Sequence, residues 1–253
     1  MPDHCSFFQL ESTDRLKPTI RIFHWLKLAL QDFCSRPYIS LFYGLGFFVI
    51  SWLVISFLWF TGLAWMLLPA ISGALLVGPI IAVGLYQISR THQHHCQCSV
   101  AAPTQIALIG GILMILLLVW LRAATILFAI FYGLRPFPGL LEILSLIFTT
   151  PHGLALLFFG TMVGGLFAAF TFAITVFSIP MLVNQEVDAF TAMGRSLTTC
   201  LQNLKLTIVW GVMVTLLTII GFLTGLVGMI VIFPLLGFAT WHAYDDVFQQ
   251  NTL

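Results

Sequence analysis

Six stretches of this chain run for about twenty residues or more with hardly a charge among them: 38–60, 64–87, 105–132, 154–182, 204–223 and 226–244. A helix rises 1.5 Å per residue, so about 20 apolar residues cross roughly 30 Å of hydrocarbon. Backbone groups inside lipid must be paired within their own segment, which leaves helices or closed barrels. The ten-residue alternation of a barrel strand does not occur. Charged residues make up 8% of the chain, and a soluble domain carries about 25%. The sequence therefore predicts an all-α polytopic membrane bundle of about six transmembrane helices.

Charge orients the bundle. Arg15, Lys17, Arg21, Lys27 and Arg36 precede the first span, Arg90 follows the second, Arg195 lies between the fourth and fifth, and Lys205 stands at the start of the fifth. All eight fall on one side, with Arg135 opposite and Arg122 in the outer part of the third span. The positive-inside rule then places both termini in the cytoplasm of a multi-pass protein of the bacterial inner membrane. The opening residues lack the apolar core and cleavage site of a secretory signal, so insertion is expected to rely on the first span. The organisation read this way is a cytoplasmic N-terminal segment, 1–37, and a transmembrane domain, 38–253. The latter has a cytoplasmic His/Cys loop at 88–104 and an outer loop at 133–153. The net charge of +1 and the absence of a basic run exclude a nucleic-acid partner.

Two segments read as amphipathic helices, either interfacial or docked on the bundle end. Over 19–34, Arg21, His24, Lys27 and Gln31 form one stripe, and Ile22, Phe23, Leu26, Leu30 and Phe33 the other face. Over 187–203, Phe190, Met193, Leu197 and Leu201 recur at helical spacing. Each precedes a span with an aromatic–glycine pair (Tyr43–Gly44, Trp210–Gly211). A returning span follows, with a proline (Pro79, Pro234) and an aromatic seven residues on (Tyr86, Trp241). That pattern describes either a parallel repeat or chance likeness among apolar helices. Small residues four apart, Ala70, Ala74, Gly78 and Ala82, then Gly160, Gly164 and Ala168, predict close helix packing and central second and fourth spans. Pro180 is expected to end the fourth span.

Few residues could carry chemistry. His92, His94, His95, Cys96 and Cys98 are ligand types for Zn²⁺ or, through thiolates, Cu(I). Their spacing matches no zinc signature, and a polar loop between spans explains them as well. A bis-histidine haem needs facing imidazoles within the bundle. His152 and His242 are expected at opposite membrane faces, and the spans lack the histidines of a haem-copper oxidase. Arg122, the one intramembrane charge read from the sequence, is expected to snorkel outward or pair with Glu142. No carboxylate falls mid-span. Neither a nucleophile relay nor a phosphate loop is recognisable, and a non-enzyme is expected.

The stretches "GPIIAVGLYQISR" (78–90), "FSIPMLVNQEVDAFTAMGRSL" (177–197) and "PLLGFATWHAY" (234–244), with Asn203 and Trp210, resemble a bacterial family of uncharacterised six-span inner-membrane proteins. Some of its members are labelled putative cytochrome c oxidase subunit. The resemblance covers nearly all of the chain beyond the first twenty residues and implies no mechanism. Where this chain holds its His/Cys cluster, such relatives continue with charged residues, so the cluster is not the common activity.

The leading functional expectation is a non-catalytic accessory, assembly or scaffold subunit, whose partners are the lipid bilayer and other integral membrane subunits. The first alternative is a transporter of an apolar or lipid-like solute, which a cavity between the second and sixth spans would favour. The second is cytoplasmic metal handling by the 92–98 loop.

Overall fold

Proline starts four of the helices. It has no N–H to leave unpaired in a first turn, and its fixed φ suits a helix start. In a computed structural model describing residues 18–62, 67, 78–94, 100–133, 145 and 148–249, the helices α1 (Pro18–Ser35), α2 (Pro37–Phe60), α4 (Pro103–Tyr132) and α5 (Pro151–Thr175) all open this way. Residues 78–81 form a helical turn that leads into α3 (Val83–His94). The short α6 (Ser178–Asn184), α7 (Ala189–Gln202), α8 (Leu204–Leu223) and α9 (Met229–Gln249) complete the described chain, which contains no strand. The protein is an all-α membrane bundle. Four described stretches are long and apolar enough to span a membrane: Pro37–Phe60, Pro103–Tyr132, Pro151–Asn184 and Leu204–Leu223. Much of the second expected span, 64–87, lies outside the described residues, as does much of the expected repeat.

Helix α9 is the hub. It packs along α1 and α2 and also touches α3, α6 and α8, while α4 pairs with α5 beside it. The approach of α2 to α9 needs Gly44, where a Cβ would fall onto the backbone carbonyl of Ile230. Phe47 and Phe233 then stack at 4.6 Å across that contact. Gly237 admits Leu85 of α3, whose Cδ1 would lie 2.7 Å from an added Cβ. The densest burial collects where α1, α3, α6 and α9 meet, around Trp25, Leu85, Ile179, Leu182, Phe238 and Trp241. Sequence reasoning expected the second and fourth spans at the centre. The first turns of α5 instead lie at the periphery, with Leu154 and Phe158 exposed.

Two further expectations are corrected and one alternative is decided. Helix α1, expected at an interface or on the bundle end, docks on the bundle through Arg21, Ile22, Trp25, Ala29 and Asp32, leaving Phe23 and Leu30 exposed. Arg21 and Asp32 find charged or polar partners on other helices, so this face can be buried. Pro180 does not end the fourth span; it sits in the first turn of α6, and the chain breaks at Val176–Phe177 before it. Without an N–H, Pro180 cannot bond back to Val176, and the interruption falls upstream. The expected loop at 88–104 is helical as far as His94.

Helix α7 presents two faces. Ala189, Ala192, Ser196 and Cys200 are buried against the bundle, whereas Phe190 and Leu201 point outward. Its start is fixed by Asp188, whose carboxylate accepts from the amides of Phe190 and Thr191. The outward stripe of large apolar side chains is what an interfacial helix offers to lipid.

Candidate functional site

A buried polar cluster joins three helices that are far apart in sequence. Asp32 of α1 accepts at Oδ2 from the hydroxyl of Ser89 on α3. The same oxygen meets His242 Nε2 of α9 at 2.9 Å. An ionised carboxylate only accepts, so with Asp32 charged the donor of this contact is Nε2. Ser89 is wholly buried, and Asp32 and His242 are 6% and 4% exposed. Nearby, Asp246 accepts from Arg21 at 2.8 and 2.9 Å and from the indole of Trp25 at 3.0 Å. The composition resembles a hydrolytic trio, but the order differs. A nucleophile relay places the histidine between hydroxyl and acid, whereas here the acid lies between the other two. The arrangement clamps α1 onto α3 and α9.

Residues carrying the sequence resemblance converge at this same end. Arg90 donates to the Val183 carbonyl at 2.8 Å. The amides of Ala101 and Ala102 bond to Val183 and Leu182, so carbonyls at the end of α6 have partners. Ser196 donates to Ala173 O at 2.7 Å and accepts from the Phe177 amide at 3.2 Å, bridging the break between α5 and α6. Cys200 is buried beside it, and desolvation pushes its thiol up to about 11, with hydrogen bonds from Thr207 and Ser196 opposing.

The second feature is a cavity of about 1030 Å³ between the end of the second span and helices α4, α5, α8 and α9. That volume is at the upper end of small-molecule sites, about 300–1,000 Å³. Its lining includes Pro79, Tyr86 and Thr240 of the expected second and sixth spans, and none of the described residues that line it is charged. Most of the wall is aliphatic or aromatic. Tyr86 hydrogen-bonds with Thr240, and Thr240, Thr175, Thr125 and Thr215 each donate to a backbone carbonyl in their own helix. Thr171 differs: 3% exposed and part of the lining, its hydroxyl has no hydrogen-bond partner.

The residues singled out from sequence are distributed unevenly about these features. Gly78, Ala82, Gly160, Gly164 and Ala168 all line the cavity. Of the two glycines in the fourth-span row, Gly164 makes a tight helix contact, with Trp120 Cη2 2.8 Å from an added Cβ, while at Gly160 nothing stands within 4 Å of the added carbon. Ala74 and Glu142 lie outside the described residues. Arg122 is exposed on α4. His92 and His94 fall in the last turn of α3, while His95, Cys96 and Cys98 lie outside the described residues, and the metal expectation lies there with them. Among the described residues no three His, Cys, Asp or Glu side chains gather as a metal site. Sequence reasoning missed Asp32 and Thr171. Asp32 carried one available signal, an acid set among hydrophobic residues in an otherwise basic helix.

No curated protein and no solved structure matches the chain. Residues 67–184, which contain α3, α4, α5 and α6, match the family described as predicted integral membrane protein, DUF2189, so the likeness to an uncharacterised membrane-protein family is confirmed over that stretch.

Proposed function

We propose that this integral membrane protein is a non-catalytic carrier that takes an apolar, lipid-like solute into the cavity between its second and sixth spans. The observation that carries the reading is the cavity of about 1030 Å³, walled by six segments of the chain with no charged side chain among the described lining residues. A charge is costly to hold at membrane depth, so a site without one suits a solute that brings none. Two of its walls follow prolines, Pro79 and Pro234, where a helix lacks a backbone bond and bends most readily. In this reading the termini face the cytoplasm of a bacterial inner membrane, as the charge bias requires.

The test uses the open space around Gly160. A Gly160→Trp variant fills the cavity while adding bulk where no neighbour stands. Purified wild type should retain a specific apolar molecule on solvent extraction, and the variant should lose it. Equal lipid content in both would reject the carrier reading.

A second reading, an accessory subunit of a larger membrane complex such as a respiratory one, draws support from α2. Phe42, Trp52, Phe57, Trp59 and Phe60 all project from it exposed, and a partner helix packs on such a surface as readily as lipid does. Native mass spectrometry of untagged protein from its own membranes distinguishes the two: a defined hetero-assembly supports the subunit, and a lone chain rejects it. Zn or Cu handling through His92, His94, His95, Cys96 and Cys98 is a separate proposal. Unchanged metal content in a Cys96→Ser, Cys98→Ser variant would dismiss it.

A further inference from the structure

We infer that the cavity opens sideways to the bilayer between α5 and α8 and takes a membrane phospholipid from it, with an acyl chain in the cleft and the phosphate at Lys205. The inference rests on the carrier reading and adds the class of solute and its way in.

The opening shows in residues that face two ways. On α8, Ile208, Val212, Leu216 and Ile219 line the cavity and are still between 48% and 56% exposed. On α5, Gly165, Ala168 and Ala169 also line it and are also exposed, with small side chains that leave room. Residues around a closed chamber are shut off from the outside, so this side of the cavity is a cleft. Its floor closes where Phe172 comes within 3.7 Å of a carbon added at Gly211, while Val212, the next residue, stays exposed. Both helices lie in stretches long and apolar enough to span a membrane, so the cleft faces the hydrocarbon of the bilayer.

Charge and length then name the occupant. Lys205, Val212 and Leu216 follow one another at i, i+7 and i+11, which is one stripe of α8. Lys205 is exposed and stands in the first turn of this span, the depth at which lipid phosphates lie. From Lys205 to Leu216 is roughly 17 Å of helix, about half of a 30 Å hydrocarbon core, so the stripe covers one leaflet. Helices α5 and α8 carry no other lysine or arginine and no acid. Glu186 and Asp188 precede α7, which puts about 21 Å of helix between them and its other end, adjoining Lys205. An ammonium with no acid on either helix of the cleft suits a phosphate, which lysine binds as a point charge. The charged head stays at the rim, and only the uncharged chain enters the cavity.

The experiment strips full-length protein of lipid in detergent micelles. Native mass spectrometry then measures its retention of two probes with the same chains, dioleoylphosphatidylglycerol and dioleoylglycerol. Wild type should hold the phospholipid about tenfold more tightly, the scale of one hydrogen bond to a charged group. Lys205→Gln should bring the phospholipid down to the level of dioleoylglycerol and leave dioleoylglycerol unchanged. Lys205→Arg should keep the preference, which separates loss of the charge from misfolding. Gly165→Trp, which adds bulk where nothing stands within 4 Å of the added carbon, should release both probes. Equal retention of the two by wild type, a preference surviving Lys205→Gln, or full retention by Gly165→Trp would overturn the inference. The carrier reading would still stand if Gly160→Trp loses an apolar molecule that wild type keeps. If Gly160→Trp retains everything that wild type does, the carrier reading itself fails, and the inference with it.

Discussion

At the scale of single residues, Asp32 is the side chain on which most depends. Removing one member of a buried pair leaves the other without its partner and costs about 3–5 kcal/mol. Asp32→Ala takes a buried partner from both Ser89 and His242, so it should lower the thermal midpoint strongly, whereas Asp32→Asn, which keeps an acceptor, should lower it less. Equal midpoints for Asp32→Ala and wild type would show that α1 does not depend on this contact. Cys200 gives a prediction with a defined pH course. Its thiol is raised to about 11 by burial, and the thiolate is the reactive form. Maleimide labelling at pH 8 should therefore modify exposed Cys34 and spare Cys200, with reactivity at Cys200 rising only as the pH approaches 11. Rapid labelling of Cys200 at pH 8 would contradict its burial. Neither role could be read from the sequence. Asp32 gains its meaning from Ser89 and His242, which lie 57 and 210 residues away, and local periodicity says nothing about partners at that range.

At the scale of elements, apolar runs were legible because a span requires about twenty of them wherever it sits. Helix starts were not sought in the sequence, although Pro18, Pro37, Pro103 and Pro151 all carry the signal. What the sequence left open was the face that docks. In α1 the docked side is narrow and carries Arg21 and Asp32 beside Ile22, Trp25 and Ala29. In α7 the small residues Ala189, Ala192, Ser196 and Cys200 are buried and the large ones are not. In lipid, large apolar side chains have no need to hide from their surroundings, so size and hydrophobicity do not report burial as they do in water. Glycine is the better guide. Gly44→Ala should cost about 1–3 kcal/mol, because its methyl group would meet the Ile230 carbonyl. Gly46→Ala, two residues on and with nothing within 4 Å of the added carbon, should gain about 0.5–1 kcal/mol from helix propensity. Reversible unfolding in micelles compares them, and equal effects would dissolve the close α2–α9 contact.

At the scale of the whole molecule, the Arg21–Asp246 ion pair places those two residues on one face of the bundle. In the orientation proposed above that face is cytoplasmic. An impermeant maleimide should thus reach Cys34, in a variant with the other cysteines replaced, from inverted vesicles and not from intact cells. Labelling from the outside would reverse the assignment. The candidate site is legible only at this scale. Thr171 reads as an ordinary threonine in an apolar run, Gly160 as one step in a packing row, and Tyr86 as the end of a span. Their shared cavity arises from the way α4, α5, α8 and α9 diverge, which no single segment encodes.

The clamp between α1 and α9 also has a bearing on how the protein is made. Synthesis runs from the N-terminus, so α1 leaves the ribosome early, while Asp246 and His242 arrive near the end of translation. Until they do, Arg21 and Trp25 lack the Asp246 carboxylate and Asp32 lacks His242, so this face is only partly engaged, through contacts such as Ser89 on α3. Complete docking of α1 therefore reports that the last helix is in place. A chain stopped short of His242 would leave α1 unclamped and open to the proteases that survey incomplete membrane proteins.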